Sequence, residues 1–140
     1  MNARRIALVA AIAAVAAFAL ASTALAGKPG GGGTTSSGSG MTLVLMDGAT
    51  QAQHYGRITF KVSTSATSTP NVGLRCYQGT NWVFDAYVGY FPGYMFEQWF
   101  TLKSNYWVDG IPATCTARLF YNDRRGRQVI LSTMSFPVAP

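Results

Sequence analysis

Residues 57–64 read Arg57-Ile58-Thr59-Phe60-Lys61-Val62-Ser63-Thr64. Ile58, Phe60 and Val62 share one parity, while Arg57, Thr59, Lys61 and Ser63 share the other. Successive side chains on a strand point to opposite faces, so this alternation describes a β-strand with one buried face and one wet face. After residue 41 no stretch carries a helical period of useful length, and the reading set by these eight residues extends to the rest: the class is all-β.

Outward from this stretch, short runs of β-branched and aromatic residues are separated by clusters of Gly, Pro, Asn, Asp and Ser. Residues 42–46 form a first strand. The polar connection 65–71 leads into a strand over 72–77, with Val72, Leu74 and Cys76 on one face. Gln78-Gly79-Thr80-Asn81 is a hairpin turn into a strand over 82–90. Phe91-Pro92-Gly93 breaks that run, and residues 96–103 are expected to form a further strand. Residues 114–121 place Cys115, Ala117, Leu119 and Tyr121 on one side, 122–126 turn, and 128–138 close the domain. About seven strands at roughly ten-residue spacing predict a two-sheet sandwich, with a small β-barrel as the alternative.

The N-terminus carries a different signal. Arg4 and Arg5 precede an apolar run over 6–21, and Ala24-Leu25-Ala26 places small residues at the two positions a signal peptidase reads. The run is short and Ala-rich against the about 20 apolar residues of a spanning helix. Residues 1–26 are therefore expected to be a cleaved signal peptide, which predicts an exported protein, extracellular or held in the cell envelope, that meets the membrane only during export. Residues 27–40 (GKPGGGGTTSSGSG) contain almost nothing that can be buried, as in a flexible Gly/Ser-rich linker. The folded domain is expected over 41–140.

Removing the signal lowers the formal charge from +6, because nine Lys and Arg then face five acids, leaving +4. A moderate positive charge favours anionic surfaces. Only Arg124-Arg125-x-Arg127 is dense, at an expected hairpin tip, so no nucleic acid partner is expected.

Cys76 and Cys115 are the only cysteines. In an exported chain an even count argues for a disulfide. Closing a loop of this length stabilises by roughly 4 kcal/mol in the chain-entropy picture. A metal site would need more ligands, and His54 is the only histidine. Neither a metal nor a cofactor is expected.

Strand number, domain size and the passage Asp109-Gly110-Ile111-Pro112-Ala113-Thr114-Cys115 together resemble an immunoglobulin-like or fibronectin type III-like module of secreted bacterial proteins, the passage being similar to the corner before the second Cys of immunoglobulin domains. Ala113 stands where that corner has its Tyr. The resemblance implies a seven-stranded immunoglobulin-like β-sandwich. It also implies that, with residues 57–64 as strand B, Cys76 lies on strand C and Cys115 on the neighbouring strand F, so that the bridge staples one sheet rather than joining two.

Catalytic arrangements find few candidates. A Ser-His-Asp triad needs a positioned histidine, and His54 is expected in an exposed polar connection. Asp47, Asp109 and Asp123 sit in turn-like contexts that favour Asp for local hydrogen bonds. Asp85 and Glu97 fall on expected strands, where they could face each other or simply face solvent. The chain is expected not to be an enzyme. The segment 82–100 is instead dense in rings, among them Trp82, Tyr87, Tyr90, Phe91, Tyr94, Phe96 and Trp99. Alternation prevents all of them from entering one core. Tyr87, Tyr90, Phe91 and Tyr94, with Arg124, Arg125 and Arg127, are the candidate binding surface, and an extracellular protein or an envelope glycan is the expected partner. A structural surface protein that assembles through its sheet edges is the second reading.

Overall fold

The computed structural model of the chain describes residues 38–140. The expected signal peptide and the linker positions up to residue 37 lie outside the described residues. Within them, Gly40 already opens the first strand, one residue ahead of the expected domain boundary.

Seven strands follow: β1 (Gly40–Leu45), β2 (Arg57–Ser63), β3 (Asn71–Gln78), β4 (Asn81–Gly89), β5 (Phe100–Thr101), β6 (Ala113–Asn122) and β7 (Gln128–Val138). They form two antiparallel sheets, ordered β1-β2-β5 and β4-β3-β6-β7. The described residues are all-β, as the alternation predicts.

The inward faces follow the expected parities. Ile58 and Phe60 are buried, with Val62 packed beside them. Val72, Leu74 and Cys76 from β3, and Cys115, Ala117 and Leu119 from β6, are completely buried. Each such Leu or Val contributes roughly 1.5–3 kcal/mol by leaving water. Turn chemistry sets the registers. Gln78 pairs with Asn81 across a two-residue loop, and Gly79 adopts φ +60° at the first loop position, where a type II′ connection needs glycine. At the β6–β7 turn, Asp123 accepts hydrogen bonds from the backbone N–H groups of Arg125 and Arg127.

The disulfide joins Cys76 to Cys115, which stand directly opposite each other on β3 and β6 with Cα atoms 4.0 Å apart. That is the close spacing of an opposed antiparallel pair. The bridge lies within one sheet.

Three expectations need correction. First, the strand expected over 96–103 shrinks to Phe100 and Thr101, which pair only with Ile58 and Arg57. The Tyr90 hydroxyl accepts from the Phe60 N–H and so covers the β2 edge where a longer β5 would lie. Second, His54 is buried, not exposed. Its ring stacks on Tyr55 at 4.0 Å and on Trp107 at 4.8 Å, with Nδ1 3.1 Å from the Asp109 carboxylate. The cause is a backbone seam invisible to periodicity: His54 N–H donates to Ala139 and Tyr55 N–H to Leu102, drawing this connection onto the end of the sandwich. Third, Asp85 and Glu97 do not face each other. Asp85 pairs with Arg75 on β3, and Glu97 lies in the loop, where it acts on Arg57.

Candidate binding groove

After β4 the chain crosses from the four-stranded to the three-stranded sheet through residues 90–99. The crossing opens with a turn over Phe91-Pro92-Gly93-Tyr94. Tyr94 N–H donates to the Phe91 carbonyl at 3.3 Å, and Gly93 has φ +83°. Pro at the second position and a left-handed Gly at the third are the requirements of a type II turn.

The turn folds its two flanking rings back over the end of β4. Phe91 and Tyr94 meet edge to face at 5.3 Å, and Phe96 meets Tyr94 in the same way at 5.7 Å. Gly89 makes this possible: a Cβ there would lie 2.5 Å from the Tyr94 ring and 2.6 Å from the Phe91 ring. Tyr90 anchors the crossing. Its hydroxyl lies 3.1 Å from Thr59 Oγ1, donates to the Gln98 carbonyl at 3.1 Å and accepts from Phe60 N–H. Burial raises the Tyr90 pKa above its ordinary value, against the opposing pull of the Thr59 and Phe60 hydrogen bonds.

Between this crossing and β2 runs an open groove of about 770 Å³, lined mainly by Val62, Tyr90, Phe91, Tyr94, Phe96 and Trp99. Phe96 in its lining is 70% exposed, and Met95, next to Phe96 in the chain, is 88% exposed. At the far end the Arg57 guanidinium sits over the Trp99 ring, 5.7 Å from its centroid. The polar groups along the groove are largely committed, since Gln98 donates to the Phe91 carbonyl while its own carbonyl receives Tyr90. On this side β2 pairs with β5 only at Arg57 and Ile58, so its backbone from Thr59 to Ser63 has strand pairing on one edge alone.

The candidate surface residues separate into three places. Tyr90, Phe91 and Tyr94 line the groove, with Tyr90 serving as an anchor. Tyr87 is 69% exposed on the outer face of β4 and lines a different hollow. Arg124, Arg125 and Arg127 occupy the β6–β7 turn and contribute nothing to the groove lining, and Arg127 pairs with Asp123. Asp123 is held below the usual carboxylate range chiefly by the Arg127 N–H. Val62, Pro92, Gly93, Phe96, Gln98 and Trp99 complete the groove. Ring density over 82–100 pointed to Phe96 and Trp99, whereas Val62 was read only as an inward-facing strand residue and Gln98 carries no signal of its own.

The chain matches no family model, no curated protein and no solved structure.

Proposed function

We propose that this chain is an exported, non-enzymatic binding or adhesion module that works at the cell surface or outside the cell and holds an extracellular protein in the groove beside residues 90–99. The observation that carries this reading is the groove itself: a lining of rings that includes the exposed Phe96, with the exposed Met95 next to it in the chain. Aromatic and Met side chains are enriched where protein partners meet. The commitment of Tyr90 and Gln98 to internal hydrogen bonds favours an apolar protein segment over a sugar, which needs free hydroxyl partners.

The architecture within this proposal is an immunoglobulin-like or fibronectin type III-like sandwich. Support comes from the strand order, with the disulfide strands β3 and β6 adjacent in one sheet. Export rests on the N-terminal signal and fits an oxidising compartment for the disulfide.

The test is capture of extracellular proteins by the full chain, compared with Phe96→Ala and Met95→Ala, both on exposed side chains. A partner retained by the parent and lost by at least about tenfold in the variants is expected, the scale of one interface anchor. Equal retention overturns the reading. Self-association at micromolar concentration by light scattering would instead favour the structural protein assembling through sheet edges, for which β4 and β7 offer outer edges.

A further inference from the structure

The outer face of the four-stranded sheet carries a second built feature that shares no lining residue with the groove. Across β4, β3 and β6 one row reads Tyr87–Gly73–Arg118. Gly73 has no side chain, so Tyr87 and Arg118 stand two strand spacings apart, roughly 9–10 Å, with a gap between them. Phe120 floors that gap. It is buried but lies outside the inter-sheet core, with its ring 3.3 Å from where a Cβ on Gly73 would be. The resulting hollow of about 230 Å³ is walled by Arg75, Asp85, Tyr87, Arg118 and Gln128.

The charges in this hollow do not balance. Arg75 is matched by Asp85 across the ladder. Asp47, Asp123 and Asp109 face Arg57, Arg127 and His54, while Glu97 acts on Arg57. Among the described residues no acid is left for Arg118. A guanidinium with five donors in a fixed fork, half-buried on a sheet face, is suited to a carboxylate or phosphate group. Beside it the exposed Tyr87 ring presents a flat amphipathic surface and Gln128 an amide.

One step along the same face lies a second hollow of about 290 Å³, lined by Arg75, Tyr77, Trp82 and Asp85. The two share the Arg75–Asp85 pair. From Tyr77 to Gly73 is four residues of β3, about 13 Å. Flat rings thus alternate with hydrogen-bonding groups along a line, with one free cation at its end.

We propose that this face binds an anionic saccharide, with its acidic group on Arg118 and its sugar rings on Tyr87 and Trp82. The site is independent of the protein-binding groove, and either could fail alone.

The experiment follows the backbone amide of Gly73 and the Nε–H of Arg118 by NMR in the ¹⁵N-labelled full chain during titration with trigalacturonate, maltotriose or inorganic phosphate. Trigalacturonate is expected to move both resonances, and maltotriose to act at least about tenfold more weakly, the scale of one charge-assisted hydrogen bond. Arg118→Gln should weaken trigalacturonate by a similar factor, and Arg118→Lys by less, because it keeps the charge but loses the fork. The dispersed parent spectrum retained in Arg118→Lys shows that the fold survives. A response to phosphate equal to that for trigalacturonate overturns the saccharide assignment. So does equal binding of maltotriose, an unchanged affinity in Arg118→Gln, or shifts confined to residues 90–99.

Discussion

The four-stranded sheet and the crossing over residues 90–99 are held together by opposite means. In the sheet, the β3–β6 ladder runs without a register shift, and a covalent bridge sits on a directly opposed pair near one end of it. In the crossing no ladder exists between Tyr90 and Trp99. Its shape depends on one hydroxyl, one Pro-Gly turn and a glycine that lets two rings lie on the backbone. Regular hydrogen bonding makes a scaffold, whereas side chain-to-backbone contacts make an irregular surface that can present rings to solvent. Loops on a rigid scaffold are where binding residues concentrate.

Breaking the scaffold should have the largest effect. Cys76→Ser with Cys115→Ser removes the bridge across a sequence separation of 39 residues, and chemical denaturation should report a loss of about 4 kcal/mol. A loss below about 1 kcal/mol would mean that the ladders alone hold β3 to β6.

Next comes the hinge between the two regions. Gly89→Ala forces a methyl into the Tyr94 and Phe91 rings, and overpacking of this kind costs about 1–3 kcal/mol. The near-ultraviolet dichroism of the ring cluster should change with it. An unaltered spectrum would show that the rings do not rest on Gly89.

Tyr90→Phe probes the anchor alone. It leaves the ring but strips the hydroxyl from Phe60 N–H and the Gln98 carbonyl, at a cost of about 1–2 kcal/mol. The same variant should alter the response to alkali. Because burial raises the folded pKa of Tyr90, its neutral form is the one the fold prefers. Its contribution is fully present below the unfolded value of about 10 and is lost as pH rises through the higher folded value. The thermal midpoint of the parent should therefore fall more steeply above pH 10 than that of Tyr90→Phe; parallel curves would remove the argument.

The smallest effect is expected at the rim. Phe96→Ala removes a ring that is 70% exposed and should change stability by under about 0.5 kcal/mol. A cost of several kcal/mol would place Phe96 in the fold's support and not on its working surface.

Ion pairs add little to either region. Arg57–Asp47 and Arg75–Asp85 are both on the surface, where such pairs contribute about 0–1 kcal/mol. The Arg75–Asp85 pair has an electrostatic consequence: it commits the one acid that lines the Arg118 hollow.

Much of the scaffold was legible beforehand, because a strand that buries one face writes its parity into the chain. Ile58-x-Phe60-x-Val62 and Val72-x-Leu74-x-Cys76 each point inward as read. Glycine at position 79 and Pro-Gly at 92–93 marked turns whose φ values require them. The ring-rich stretch 82–100 was visible as a candidate surface, but its sorting was not. Tyr87 and Tyr94 have similar neighbours in sequence, yet one faces solvent on β4 and the other folds onto Gly89.

By itself, then, the sequence determined the class, the strands other than β5 and the cysteine pair, because alternation, turn propensity and composition are local properties. Only the tertiary structure decided which strands became neighbours, that β5 stops after two residues, that His54 is buried beneath Trp107, and that Tyr87 and Arg118 frame one hollow across Gly73. The hollow across Gly73 needs Tyr87, 14 positions away in the chain, and the burial of His54 needs Trp107, 53 positions away. Contacts at such separations arise when sheets pack and loops close, and no local pattern of residues encodes them.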